Sequence, residues 1–221
     1  MTAAEKAGPA VDAIARSPQD AAPPGLPDVI ACHLSVLFCG LNPGLAAAAK
    51  GHHFMGRGNR FWRVLHCAGF TPAEMAPHQD RLLLDHRCGL TTVVERPTRR
   101  ADLVLPAEFE AAAAGFERKI RHYAPGFVAF LGKAAYSALY SRGEVEWGLQ
   151  PTTIFASKVW ILPNPSGRNR AFSLDRLTAA YRALHAAACL GSRGFGPERV
   201  DLLPGPVDKG DSRTEACVIQ L

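Results

Sequence analysis

Short apolar runs that alternate with helix-like segments limit what this chain can fold into. LSVLFCG (34–40) and FVAFLG (127–132) are near-continuous apolar stretches ended by glycine, and TTIFAS and KVWILPNPSG (152–167) repeat the pattern. Such runs fit strands covered on both faces. Between them, NRFWRVLHCAGF (59–70) puts Phe61, Trp62, Leu65 and Ala68 near one helical face, with Asn59 as a cap. Residues 106–123 open with a proline and close with basic residues, as a helix prefers. KAAYSALYS follows the second strand, and SLDRLTAAYRALHAAACL (173–190) predicts a last helix capped by Ser173. The alternation predicts an α/β protein: three layers, α/β/α, around a short, mostly parallel sheet. Its site should lie beyond the carboxyl ends of the strands.

The 221 residues are 48% apolar and 20% charged, enough for one substantial core. Residues 1–28 carry Ala, Pro and Asp without a sustained period and predict a flexible leader; the Gly- and Pro-rich 191–221 predict a tail. The folded domain is expected over 29–190. No apolar run approaches bilayer length, so no membrane is expected, and the N-terminus does not read as a secretory signal. Six scattered cysteines without a Cys-x-x-Cys pair argue against a disulfide framework or a metal cluster and for a cytoplasmic location. The formal charge of +5 is modest, but its distribution is uneven. Arg57, Arg60 and Arg63 form one cluster, Arg96, Arg99 and Arg100 a second, and Arg168 and Arg170 a third, a residue choice suited to bidentate phosphate contacts.

Two strand ends carry unusual loops, GLNPG after the first and PNPSGRNR after the last. A phosphate-binding loop would need more glycines and a Lys-Ser or Lys-Thr ending, and a hydrolase elbow would need a serine. GLNPG instead offers a neutral carboxamide, Asn42, held behind a proline. His52 and His53 are adjacent and have no carboxylate or cysteine at ligand spacing, so no metal or cofactor is expected.

Taken together and in order, GLNPG, GHHF, NRFW..L..AGF, CGLTTVVERPT and LPNPSGRNR resemble the mismatch-specific uracil-DNA glycosylase and thymine-DNA glycosylase family of the uracil-DNA glycosylase superfamily. The resemblance spans roughly residues 34–190. It implies a catalytic domain that cleaves N-glycosidic bonds in double-stranded DNA bearing a mismatched or damaged pyrimidine, acting as a monomer. Breaking that bond makes the sugar cationic, so the attacking water needs positioning more than deprotonation, which a rigid carboxamide can supply. Asn42 matches the family's catalytic asparagine.

The resemblance further implies base binding by Leu41, Gly44, Ala47, His53, Phe54 and Asn164, with Phe54 stacking on the flipped base. Ser166, Gly167, Arg168, Asn169 and Arg170 match the loop that wedges into the vacated stack. Arg168 stands where the bacterial enzymes usually carry leucine, and Ala47 where they carry serine, which predicts room for a 5-methyl group. The expected activity is monofunctional excision of uracil, and of thymine or other modified pyrimidines, opposite guanine. The rival readings are a uracil glycosylase of broader or single-strand specificity and a non-catalytic nucleic-acid-binding protein.

Overall fold

The computed structural model describes residues 25–140 and 143–192. The leader up to residue 24 and the tail from residue 193 lie outside the described residues. Five strands form one sheet: β1 (Val36–Gly40), β2 (Cys88–Thr92), β3 (Phe127–Leu131), β4 (Gly148–Ile154) and β5 (Ser157–Leu162), in the order β2-β1-β3-β5-β4. All neighbours run parallel except β4, an antiparallel edge strand that reaches β5 through a turn at Phe155. β4 carries Pro151 and a register shift between Leu149 and Thr153, features tolerated at a sheet edge.

Among the described residues the sheet is joined by helices α1 (Leu45–Lys50), α2 (Phe61–Ala68), α3 (Pro106–Tyr123), α4 (Lys133–Tyr140) and α5 (Leu174–Ser192) and by 3-10 segments at Pro77–His86 and Ala101–Leu103. Successive residues of β1 point to opposite faces. Val36 and Phe38 join Phe61 and Leu65 of α2 and Leu177 and Tyr181 of α5 in one core. Leu37 and Cys39 join Phe116 and Ile120 of α3 and Tyr136 of α4 in the other. These two apolar layers make the predicted α/β/α sandwich.

The expected helix over 106–123 is present in full. Asn59 caps α2 from two residues upstream, its Oδ1 accepting the Phe61 N–H at 3.0 Å. Residues 26–28, counted with the leader by sequence, are held in the fold by polar anchors. Leu26 is buried, Asp28 pairs with Lys119 at 2.6 Å and accepts the Thr91 hydroxyl at 2.7 Å, and Pro27 O faces His53 Nε2 at 2.8 Å. β2 escapes an apolar-run reading because CGLTT is small and polar, yet every residue of it is buried. A Cβ on Gly89 would lie 2.5 Å from the Leu34 side chain and 2.6 Å from Val29 O, so the close passage of the 29–34 segment calls for glycine.

Candidate active site

β1 leads to β2 on one side, and β3 then pairs with β1 on the other. The carboxyl ends of β1 and β3 therefore flank the point where the strand order reverses, where open α/β sheets bind their ligands. An open cleft of about 1100 Å³ lies there, lined by residues 42–46, 56–59 and 98–102 and by Asn164 and Ser166 to Asn169.

The GLNPG turn is tied to the segment after β2. Val93 N donates to Gly40 O at 3.1 Å, Val94 N to Leu41 O at 3.0 Å, Thr98 N to Pro43 O at 3.0 Å and Leu45 N to Thr98 O at 3.2 Å. These bonds extend the β1–β2 ladder past the strands and make the turn rigid. Asn42 adds two side-chain bonds, Nδ2 donating to Arg96 O and to Thr98 Oγ1, both at 2.8 Å. Their chemistry settles which way the amide faces. Arg96 O can only accept, and the Thr98 hydroxyl already donates to Arg100 O at 2.6 Å, so both need the NH2 end of Asn42. The carboxamide oxygen is left to accept from whatever enters the cleft.

Arg96 is itself held. Its guanidinium meets both oxygens of Glu108, at 2.6 and 2.8 Å, and Leu103 O at 3.0 Å. Glu108 also accepts the Leu105 N–H at 2.8 Å at the start of α3. The bond to Arg96, helped by that amide, holds the Glu108 carboxyl down at about 2. A continuous path thus runs from the first turn of α3 through Arg96 to Asn42.

The PNPSGRNR loop faces the turn across the cleft and is closed on itself. Asn164 Oδ1 accepts the Ser166 N–H at 2.9 Å, Asn169 Nδ2 donates to Asn164 O at 2.9 Å, and Ser166 Oγ accepts the Arg168 N–H at 3.3 Å. Arg168 reaches over to Arg99 O at 3.3 Å. Arg60, grouped by sequence with arginines suited to phosphate, instead points into this loop and bonds its carbonyls. Sequence reasoning missed that role, as it missed Thr98 beside Asn42, because both depend on partners far along the chain.

The remaining site residues fall into two groups. Gly44 lines the cleft with Asn42, Asn164 and residues 166–169. Leu41 turns its side chain toward the α3 and α4 core, so only its backbone can serve the turn. Ala47 is buried in α1, one position beyond Ala46, which lines the cleft. His53 is buried too. Its backbone N–H donates to Asp80 at 3.1 Å and its carbonyl accepts the Trp62 indole at 3.3 Å; burial pushes the imidazole pKa down. Phe54 is half-buried at a φ of 55° and stacks on Phe61 with ring centroids 3.9 Å apart. Holding a bulky residue at positive φ costs about 1–2 kcal/mol. Neither Ala47, His53 nor Phe54 forms part of the cleft lining, and Arg170 is exposed outside it.

The arginine clusters also divide. Arg96 pairs with Glu108, Arg100 with Asp102, and Arg60 bonds carbonyls. Arg57, Arg99 and Arg168 line the cleft and form no salt bridge among the described residues, although the charge of Arg168 acts on Asp102 in the same lining. They give the cleft mouth a cationic rim suited to a polyanion.

Comparison with known proteins agrees with this architecture. The sequence model of the Uracil DNA glycosylase superfamily matches residues 27–185. The fold is similar to the solution NMR structure of a protein assigned provisionally as a uracil DNA glycosylase from Methanosarcina acetivorans. The two are 25% identical with a TM-score of 0.51, over 74% of this chain and 98% of that one. The match runs from the anchored residues ahead of β1 into α5 and takes in every loop that lines the cleft, so this chain belongs to the uracil DNA glycosylase superfamily.

Proposed function

We propose that this protein is a monofunctional DNA glycosylase that releases uracil, and more slowly thymine or other 5-substituted uracils, from opposite guanine in duplex DNA. The superfamily match and the structural neighbour support DNA glycosylase activity. The observation that carries the mechanism is the orientation of Asn42, whose amide nitrogen is taken up by Arg96 O and Thr98 Oγ1.

A base inside a duplex cannot reach the Asn42 turn, so the target nucleotide is swung out into the cleft. Arg57 and Arg99 hold the phosphates, while the 166–170 loop, with Arg168 at its tip, enters the gap in the stack. Cleavage of the bond between C1′ and the base nitrogen sends the electron pair to the base and leaves a cationic sugar. The Asn42 oxygen accepts a hydrogen bond from a water and holds it against C1′. As the water oxygen bonds to C1′ its proton is released, and the products are a free base and an abasic site. Positioning of this kind can supply several kcal/mol of the barrier, up to about 7–11 in the best-aligned cases. The Gly44 N–H, which takes no part in the bonds joining residues 43–45 to Thr98, is available to the base carbonyl as negative charge develops. Lys50, exposed at the end of α1, does not line the cleft, which fits attack by water rather than by an amine.

The base-stacking role of Phe54 rests on the resemblance of its GHHF segment, since its ring packs on Phe61 beside the cleft rather than in its lining. The preference for guanine and the tolerance of a 5-methyl group rest on the thymine-glycosylase-like KGHHF and GLAAAA segments, with alanine at 47. Single-turnover release of free base from U:G, T:G and U:A duplexes, with borohydride trapping in parallel, tests the proposal. Release from U:G faster than from U:A and T:G, with no trapped protein–DNA adduct, is expected. Tight lesion binding without base release would make the protein a binding module.

A further inference from the structure

Arg60 has no salt-bridge partner among the described residues, yet its guanidinium makes four hydrogen bonds. Nη1 donates to Phe172 O at 2.7 Å, Nη2 to Asn169 O at 2.9 Å and Ser166 O at 3.0 Å, and Nε to Pro165 O at 3.4 Å. Its own backbone N–H donates to Pro165 O at 3.1 Å. Just beneath, the buried Tyr181 hydroxyl donates to Pro163 O at 3.3 Å. Five carbonyls of one ten-residue stretch, 163–172, therefore turn inward to two side chains from α2's entrance and α5.

The planar fork of arginine suits this task, because its donors are fixed relative to one another and one side chain can set several carbonyl directions together. With these carbonyls turned inward and the amides of Ser166, Arg168 and Asn169 bonded within the loop, Arg168 is left exposed at its tip. A flexible loop entering DNA would have to be ordered at that moment, and prior ordering removes the cost. We propose that Arg60 is a positioning residue that builds the 164–172 loop into its DNA-entering shape before DNA arrives. The inference rests on the duplex-glycosylase reading for its purpose, but the ordering of the loop stands apart from it.

The test compares the full chain with Arg60→Met and Arg60→Lys. Amide hydrogen exchange in the free proteins reads the loop directly. Peptides covering 163–172 should exchange roughly tenfold faster or more in Arg60→Met, and less so in Arg60→Lys, with β3 unchanged. Uracil release from a U:G duplex should fall about tenfold or more while release from single strands stays within about threefold, because only the duplex needs a wedge. Unchanged loop exchange, or equal losses on both substrates, would overturn the proposal. So would a drop of about one in the slope of log affinity against log salt, the mark of a lost phosphate contact. If Arg60→Met does not fold, Arg60→Lys carries the same comparisons. A parent protein that releases no uracil from any substrate would sink the glycosylase reading alone, and the exchange result would still decide the role of Arg60.

Discussion

A Cβ built on Gly167 would lie 2.5 Å from the carbonyl oxygen of Gly58, so the two loops that wall the cleft meet backbone to backbone. Gly58 has a φ of +76°, which lets its chain turn there without a side-chain clash. Gly167→Ala must push these loops apart, because the atom in the way is backbone. We expect base release from duplexes to drop about tenfold while the melting temperature moves by only a few degrees, the contact being exposed. Single-turnover assays and thermal melts check both; unchanged release from duplexes would mean that the loops separate freely.

Asn42→Ala should retain binding to lesion DNA and lose base release by on the order of a hundredfold or more, because it removes the oxygen that holds the water while the backbone bonds of the turn remain. Thr98→Val is the finer probe. It keeps the shape of the side chain but deletes one of the two acceptors that orient the Asn42 amide, and a loss of roughly tenfold is expected. Wild-type release rates in Thr98→Val would show that Arg96 O suffices.

Arg168 donates to Arg99 O and forms no salt bridge among the described residues; Asp102, already paired with Arg100, feels its charge only in part, which leaves Arg168 able to meet DNA. Arg168→Ala should weaken excision from duplexes more than from single strands, because a wedge that also contacts the exposed partner base offsets a flipping cost of a few kcal/mol. Parallel assays on the two substrates decide; equal losses would make Arg168 a phosphate contact only.

Ala47 is buried in α1 next to the cleft-lining Ala46, and its place in the base pocket rests on the match of GLAAAA to the thymine-removing branch. Ala47→Ser should lower release of thymine more than release of uracil, by a factor corresponding to about 1 kcal/mol. Rates on U:G and T:G duplexes give the ratio directly, and an unchanged ratio would remove Ala47 from the base pocket.

His53 makes stability depend on pH. Burial lowers its pKa below the ordinary value of 6.5, so the unfolded chain binds the extra proton first as the pH drops. Its contribution is therefore complete above about pH 6.5 and declines below it. Melting temperatures from pH 7.5 to pH 5 should fall in the parent and fall less steeply in His53→Gln.

Much of this was legible in the sequence, because apolar runs and helix caps are local signals. The strands ending at Gly40 and Leu131 and the helix from Pro106 to Tyr123 follow directly from them. β2 did not, since its burial comes from partners at residues 28–37 rather than from apolar side chains. The site divides the same way. The two loops could be named and expected to converge, but nothing near Asn42 in sequence points to Thr98, and an arginine gripping carbonyls more than a hundred residues away looks like any surface cation.

The grip of Glu108 on Arg96 has a kinetic consequence. With its carboxyl held at about 2, that support for Asn42 stays ionised at any pH an assay would use. The Asn42 carboxamide and the Thr98 hydroxyl do not titrate in that range either. Above pH 7, where His53 is neutral as well, a bend in the rate of base release would then belong to the departing pyrimidine and its own acidity. The enzyme would serve as a fixed frame against which leaving-group ability can be measured, lesion by lesion.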